Sequence, residues 1–227
     1  MQLQPTADGS FTIFRNDIDE HYHSVKGALA ESLHVYINLG LRHYHESIVS
    51  VGNSCKEGRP VRVFEVGFGT GLNAALTAIE AERTGLSIEY FSIELYPLSE
   101  RVIKEILINH SAELSDMLAK VNFAEWNRSV KINNNLVLHK LNRDLLDFNF
   151  PTDLDVVYFD AFAPEKQPEM WTSHIFTKLF NSMSDGGVLT TYCAKGAIRR
   201  LLQTIGFRTE RMPGPPHGKR EVLRATK

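Results

Sequence analysis

Three alternating glycines, Gly67, Gly69 and Gly71, sit in the run Phe64-Glu65-Val66-Gly67-Phe68-Gly69-Thr70-Gly71, between an apolar segment and a helix-forming one. Missing β-carbons let such a turn adopt unusual dihedrals and approach a ligand closely, while the helix that follows offers unpaired N–H groups. The spacing differs from the Gly-x-Gly-x-x-Gly of dinucleotide-binding turns, and Glu65, two residues ahead, is unfavourable beside a pyrophosphate. A carboxylate there suits a cationic ligand. S-adenosylmethionine (SAM), with its sulfonium and amino groups, is the expected cofactor. Glu65, Gly67, Phe68, Gly69, Gly71 and Asn73 are the positions set against it. A turn that only packs strand on helix is the alternative.

Further carboxylates follow other strand-like runs. Glu94 ends Ile88–Ile93, 23 residues after Gly71, where such folds hold the ribose hydroxyls with an acid. Asn142-Arg143-Asp144 follows Leu136–Leu141, and Asp144 is placed either to accept from an adenine amino group or to cap backbone N–H groups. Asp160 ends Val156–Phe159 and opens Asp160-Ala161-Phe162-Ala163-Pro164, where the proline fixes a loop beside the cofactor's methyl group. A purely structural loop carboxylate is the alternative for Asp160.

The elements that must carry these residues alternate. From Val61 onward, strand-like runs (61–66, 88–93, 136–141, 156–159, 187–192) interleave with helix-like ones (72–83, 99–109, 170–183, 194–205), the pattern of a parallel sheet covered on both faces. Two last strands, 207–211 and 220–226, flank the turn-rich Pro213-Gly214-Pro215-Pro216-His217-Gly218 and are expected to pair antiparallel at an edge. The stretch from His110 to Asn135 reads as an insertion on the sheet's rim. Residues 1–58 read as a small N-terminal cap, with strands at Phe11–Phe14 and Leu33–Ile37, a helix from His43 to Val51 and a linker from Gly52 to Gly58; residues 59–227 form the main domain.

Composition excludes several classes. The chain of 227 residues is 43% hydrophobic and 23% charged, ordinary for one soluble core. No apolar run nears the roughly 18 residues of a membrane span, and the N-terminus has no signal-peptide pattern, so a cytoplasmic protein without membrane contact is expected. Cys55 and Cys193 indicate neither a disulfide framework nor a zinc site, and Cys193 reads as a buried thiol. The pairs His21-x-His23 and His43-x-His45 lack a matching ligand cluster, so no metal is expected, and the first pair is assigned to a packing or substrate-facing segment. The net charge of −2 is unevenly spread: residues from Lys195 onward carry +7 and the remainder −9. That supports either a basic face that meets phosphates or a solvated basic tail.

Five short segments together carry a resemblance: Asp160-Ala161-Phe162-Ala163-Pro164 with Pro168-Glu169-Met170-Trp171; Thr191-Tyr192-Cys193-Ala194-Lys195-Gly196 with Arg199-Arg200; and Gly218-Lys219-Arg220-Glu221. They resemble the tRNA 5-(aminomethyl)uridine methyltransferase family, the MnmD enzymes and the N-terminal domain of bifunctional MnmC, from about Phe64 to Thr226. The segment around Tyr22 and Ser24 is similar more loosely. The resemblance implies a Rossmann-like class I SAM-dependent methyltransferase, with a mostly parallel seven-stranded sheet, an antiparallel edge and an N-terminal extension. It implies methylation of the aminomethyl group of 5-aminomethyl(-2-thio)uridine at the tRNA wobble position by a stand-alone enzyme without the FAD oxidase domain. Its partners would be the tRNA anticodon stem-loop and, functionally, enzymes that make the aminomethyl group. Asp160 would orient the amine. Tyr22, Ser24, Phe162, Tyr192 and Lys195 would shape the substrate side. Trp171 would stack on a flipped base or anchor a helix start, and Arg199, Arg200, Lys219 and Arg220 would meet phosphates. Small-amine methylation or aminopropyl transfer, known from polyamine synthases of related fold, is the alternative enzyme reading. A non-catalytic RNA-binding module is the other.

Overall fold

The computed structural model describes residues 2–22, 24–50, 58–108, 110–216 and 218–227; Cys55, His23, His217 and most of the expected 52–58 linker lie outside them. The chain opens with a small antiparallel sheet of β1 (Gln2–Pro5), β2 (Phe11–Arg15) and β3 (Glu20–His21). A continuous helical rod follows: α1 (Ala28–Ser32), a π-helical stretch (Leu33–Arg42) and α2 (His43–Ser50).

The main domain then runs β4 (Val61–Val66), α3 (Leu72–Thr84), β5 (Ile88–Ile93), α4 (Glu100–Leu107), α5 (Ala112–Phe123), β6 (Ser129–Lys131), β7 (Leu136–Leu141) and β8 (Leu154–Phe159). A single 3-10 turn (Pro168–Trp171) leads into α6 (Ser173–Ser182), β9 (Met183–Thr191), α7 (Gly196–Ile205), β10 (Arg208–Pro213) and β11 (Glu221–Thr226). The sheet order is β10-β11-β9-β8-β4-β5-β7-β6. Its five central strands are parallel, while β10 and β11 at one edge and β6 at the other are antiparallel. The mostly parallel sheet with an antiparallel edge is thus present, with eight strands where seven were expected. The extra one, β6, lies in the segment read as an insertion, which also supplies α5 against α3.

The expected strand at Leu33–Ile37 is helical. Val35, Tyr36, Ile37, Leu41 and Tyr44 are buried against the main sheet, so docking of one helical face overrides the β-branched character of Val35 and Ile37. The rod therefore shares the main core: Ile13, Ala28, Val35 and Tyr36 pack in one cluster with Val63, Tyr90 and Tyr158. The helix expected at 170–183 is interrupted at Thr172, whose hydroxyl accepts from the Ile175 N–H and starts α6 afresh. Among the described residues, no helix is long and apolar enough to cross a membrane, and no group of three or more His, Cys, Asp or Glu could hold a metal.

Candidate active site

Strand order reverses at β4, which leads to β5 on one side and pairs with β8 on the other. Ligands collect beyond strand C-termini at such a switch. Here Val66 lies beside Phe159, and the Asp160 N–H donates to the Val66 carbonyl at 3.0 Å, bringing the glycine turn against the loop that follows β8. A cavity of 540 Å³ opens at this point, a size that takes a cofactor.

Two glycines form its tightest wall. At Gly67, φ is +88° and a β-carbon would stand 2.8 Å from the Asp160 carbonyl; at Gly69, φ is +51° and a β-carbon would stand 2.9 Å from the Tyr22 ring. Only glycine meets both conditions without strain. Glu94 accepts from the Gly69 N–H at 3.2 Å and from the Tyr96 N–H at 2.9 Å, so its carboxylate faces the turn at the cavity edge. Asp144 lines the cavity while one oxygen caps the Leu146 N–H at 2.9 Å, so the capping alternative is realised in the cavity wall.

Asp160 lies at the cavity floor. One carboxylate oxygen accepts from the Tyr36 hydroxyl at 2.6 Å and the other from Asn73 Nδ2 at 2.8 Å. Burial pushes its pKa up to about 6, against the pull of those two hydrogen bonds and of Lys219. Tyr36 comes from the π-helical stretch, a contributor that the strand expectation for 33–37 concealed. The N-terminal sheet covers the opening: Tyr22 meets Phe162 edge-on with ring centroids 5.1 Å apart, and Arg15 lies over Phe162 at 5.7 Å. Ser24 also lines this roof, its N–H donating to Glu31 Oε1 at 3.4 Å.

Several expected contacts lie behind the wall instead. Glu65 is fully buried beneath the turn, where Ser92 Oγ donates to it at 2.6 Å, and burial raises its pKa to about 8. Asn73 acts through Asp160, and Gly71 caps the start of α3 with φ +77°. Trp171 is a core anchor, its Nε1 donating to the Phe162 carbonyl at 2.7 Å while its ring packs on Phe159 and Phe176. Lys195 is paired with Glu165 outside the cavity. Arg199, Arg200 and Arg220 also lie outside the lining, and no ion pair involves them among the described residues. Lys219, by contrast, points inward, over the Tyr192 ring and 3.9 Å from Glu31. The basic C-terminal excess is partly spent internally, on Arg211–Glu221, Arg224–Glu210 and Lys227–Asp185.

The sequence matches the family model described as S-adenosyl-L-methionine-dependent methyltransferase over residues 103–227. It is 32% identical over 220 residues to the tRNA 5-methylaminomethyl-2-thiouridine biosynthesis bifunctional protein MnmC of Pseudomonas fluorescens, covering 91% of this chain and 32% of that protein. The chain thus spans about a third of the length of the curated relatives it matches. The crystal structure of MNMC2 from Aquifex aeolicus superposes with a TM-score of 0.75 at 25% identity, covering 99% of this chain and 70% of that one. Spermidine synthase from Thermotoga maritima shares the fold, with a TM-score of 0.54 at 12% identity and coverage of 100% and 72%.

Proposed function

The chain belongs to the S-adenosyl-L-methionine-dependent methyltransferases and has their Rossmann-like class I fold, and from that premise we propose that it methylates the amine of 5-aminomethyl(-2-thio)uridine at the tRNA wobble position. The observation that carries this reading is Asp160, a carboxylate held by two hydrogen bonds at the floor of a cavity walled by the glycine turn. The names of the relatives, which refer to tRNA 5-methylaminomethyl-2-thiouridine biosynthesis, support the substrate. A separate activity must first install the aminomethyl group.

The residues present fit SAM. At Gly67 and Gly69 a β-carbon would crowd Asp160 and Tyr22, which line the cavity with them, so the turn borders it with bare backbone, and we assign the Glu94 carboxylate beside that turn to the ribose hydroxyls. Asp144, which lines the same cavity, is assigned to adenine. When bound, SAM supplies an electrophilic methyl group and leaves as a neutral thioether. Asp160, ionised at neutral pH, holds the substrate nitrogen in line for attack. Transfer would make the C–N bond at the expense of the methyl–sulfur bond, with the surplus proton released to solvent. An amine with a lysine-like pKa of about 10.4 would need about 4 kcal/mol to shed its proton near pH 7.5, and the electron-poor uracil lowers that cost. Because a carboxylate favours the ammonium form, Asp160 serves orientation more than deprotonation. Tyr22, Phe162 and Tyr192 bound the substrate side, and Arg199, Arg200 and Arg220 are assigned to tRNA phosphates.

The test is methyl transfer from labelled SAM to two tRNA pools, one with wobble aminomethyluridine and one lacking only the amine, with polyamines in parallel. Label confined to the first pool is the expected result; label in the second pool, or in no tRNA, overturns the reading. Label in polyamines would instead favour small-amine methylation. That second reading draws on the cavity lining, in which carboxylates such as Glu20, Glu31, Glu94 and Asp160 outnumber cationic side chains.

Two further outcomes belong here. Glu94→Ala is expected to weaken SAM binding by about 1–3 kcal/mol, since it removes both the ribose acceptor and the Gly69 tether; unchanged affinity in equilibrium titration removes the assignment. Neutralising Arg199, Arg200 and Arg220 together is expected to lower the slope of log K for tRNA against log salt by about two to three. A slope equal to that of the unmodified protein makes them solvated surface.

A further inference from the structure

The inward course of Lys219 is unexpected for a residue of a basic tail. It lies in the turn between β10 and β11, yet its ammonium sits 3.4 Å from the centroid of the Tyr192 ring, a close cation–π contact. Glu31 Oε2 is 3.9 Å away, close enough for ionic attraction but too far for a hydrogen bond. The Glu31 carboxylate is itself 6% exposed. Tyr192 is fixed by a hydroxyl bond to the Ala161 carbonyl at 2.9 Å, directly beside Asp160, and Asp160 is fixed by Tyr36. Glu31, Asp160, Tyr192 and Lys219 all line the one cavity.

Two carboxylates and an aromatic face form the surroundings that a primary ammonium selects over a neutral hydroxyl. The cation now among them belongs to the chain itself. Its side chain is 42% exposed and its backbone lies in a hairpin turn, so it can withdraw without disturbing the core.

We propose that Glu31, Asp160 and Tyr192 form an alkylammonium subsite that selects the substrate's amine, and that Lys219 occupies it as an internal stand-in which the substrate displaces. This deepens the reading above and rests on it for the identity of the amine. It separates Lys219 from Arg199, Arg200 and Arg220, since its task is to fill the subsite between turnovers and not to hold phosphate. A subsite occupied most of the time by its own lysine binds an incoming amine with its intrinsic affinity multiplied by the small vacant fraction.

The experiment titrates two nucleosides, 5-(aminomethyl)uridine and 5-(hydroxymethyl)uridine, into protein saturated with S-adenosylhomocysteine, using the unmodified chain, Lys219→Met and Glu31→Gln. Lys219→Met, at an exposed turn, is expected to tighten the amine nucleoside by about tenfold and leave the hydroxymethyl one unchanged. Glu31→Gln is expected to weaken the amine nucleoside by about tenfold with no change in S-adenosylhomocysteine affinity, which also reports intact folding. Weaker or unaltered amine binding in Lys219→Met overturns the proposal, as does absence of amine-dependent binding in every variant. Methyl transfer to tRNA by the same variants separates the two readings. Transfer to wobble uridine without the amine effect leaves the tRNA reading and removes the stand-in. The amine effect without transfer to any tRNA keeps the subsite and removes the tRNA reading.

Discussion

Asp160→Asn is expected to lower the single-turnover rate of methyl transfer by about 10²–10⁴-fold while SAM affinity changes by less than about threefold. The reason lies in what the carboxylate faces. Tyr36 and Asn73 fix its plane from behind, leaving its remaining lone pairs toward the cavity, where the substrate nitrogen must align with the methyl carbon. An asparagine keeps the size but loses the charge that draws an ammonium into line and offsets its repulsion by the sulfonium. The pH profile gives an independent signature. With the Asp160 pKa raised to about 6, the active, ionised form is depleted as pH falls through that value, so below it the rate should fall with an acidic limb added to the slope that amine deprotonation imposes throughout. The asparagine variant should lack that acidic limb. Single-turnover rates measured with labelled SAM from about pH 5 to about pH 8, beside equilibrium SAM titrations, check both parts. A near-normal rate in the variant would falsify the assignment.

A second large effect is expected in stability, from Glu65→Gln. Glu65 is fully buried and its pKa is raised from 4.5 to about 8, first by burial, with the Ser92 hydrogen bond opposing. Between those two values the unfolded chain has lost this proton and the folded one retains it. The folded state therefore binds more protons, and this group makes stability fall as pH rises through that window, levelling off above it. At about 1.4 kcal/mol per unit, the full window is worth on the order of 5 kcal/mol. Glutamine has the shape of the protonated acid and does not titrate. The variant should match the unmodified protein near about pH 5 and exceed it by several kcal/mol at about pH 9, as read from urea unfolding at each pH. A difference that stays constant with pH would mean that Glu65 is ionised in the folded protein.

Much of this was legible in the sequence. The strands Val61–Val66, Ile88–Ile93 and Leu136–Leu141 occur at the expected residues, because short, mainly apolar runs bounded by turn signals are what buried parallel strands require. Once those strands were placed, the rule for strand C-termini brought the glycine turn, Glu94, Asp144 and Asp160 to one cavity. Tyr36 was missed because Leu33–Ile37 is locally strand-like; the signal lay in the longer spacing of Ala28, Ser32, Val35-Tyr36, Gly40-Leu41 and Tyr44, which marks one helical face. Glu31 was missed for a related reason, since an acid in a helix reads as solvated until the docking face is known. Glu65 and Asn73 were assigned to the cofactor because proximity in sequence does not say on which side of a wall a side chain falls. Lys219 was grouped with the basic tail because a charge tally carries no directions.

The position of β11 in the sheet sets an order of assembly. β11 lies between β9 and β10, so β10, although made earlier, has no place in the sheet until β11 has joined β9. As the chain emerges from the ribosome, the parallel centre can gather first, whereas β10 must wait, as an unpaired strand, for residues Glu221–Thr226. Lys219 arrives with that closing hairpin and must find Glu31 nearly the whole chain away. Such a late, long-range closure should form a slow refolding phase, one that restores the Lys219 contact after the central strands are already protected from hydrogen exchange.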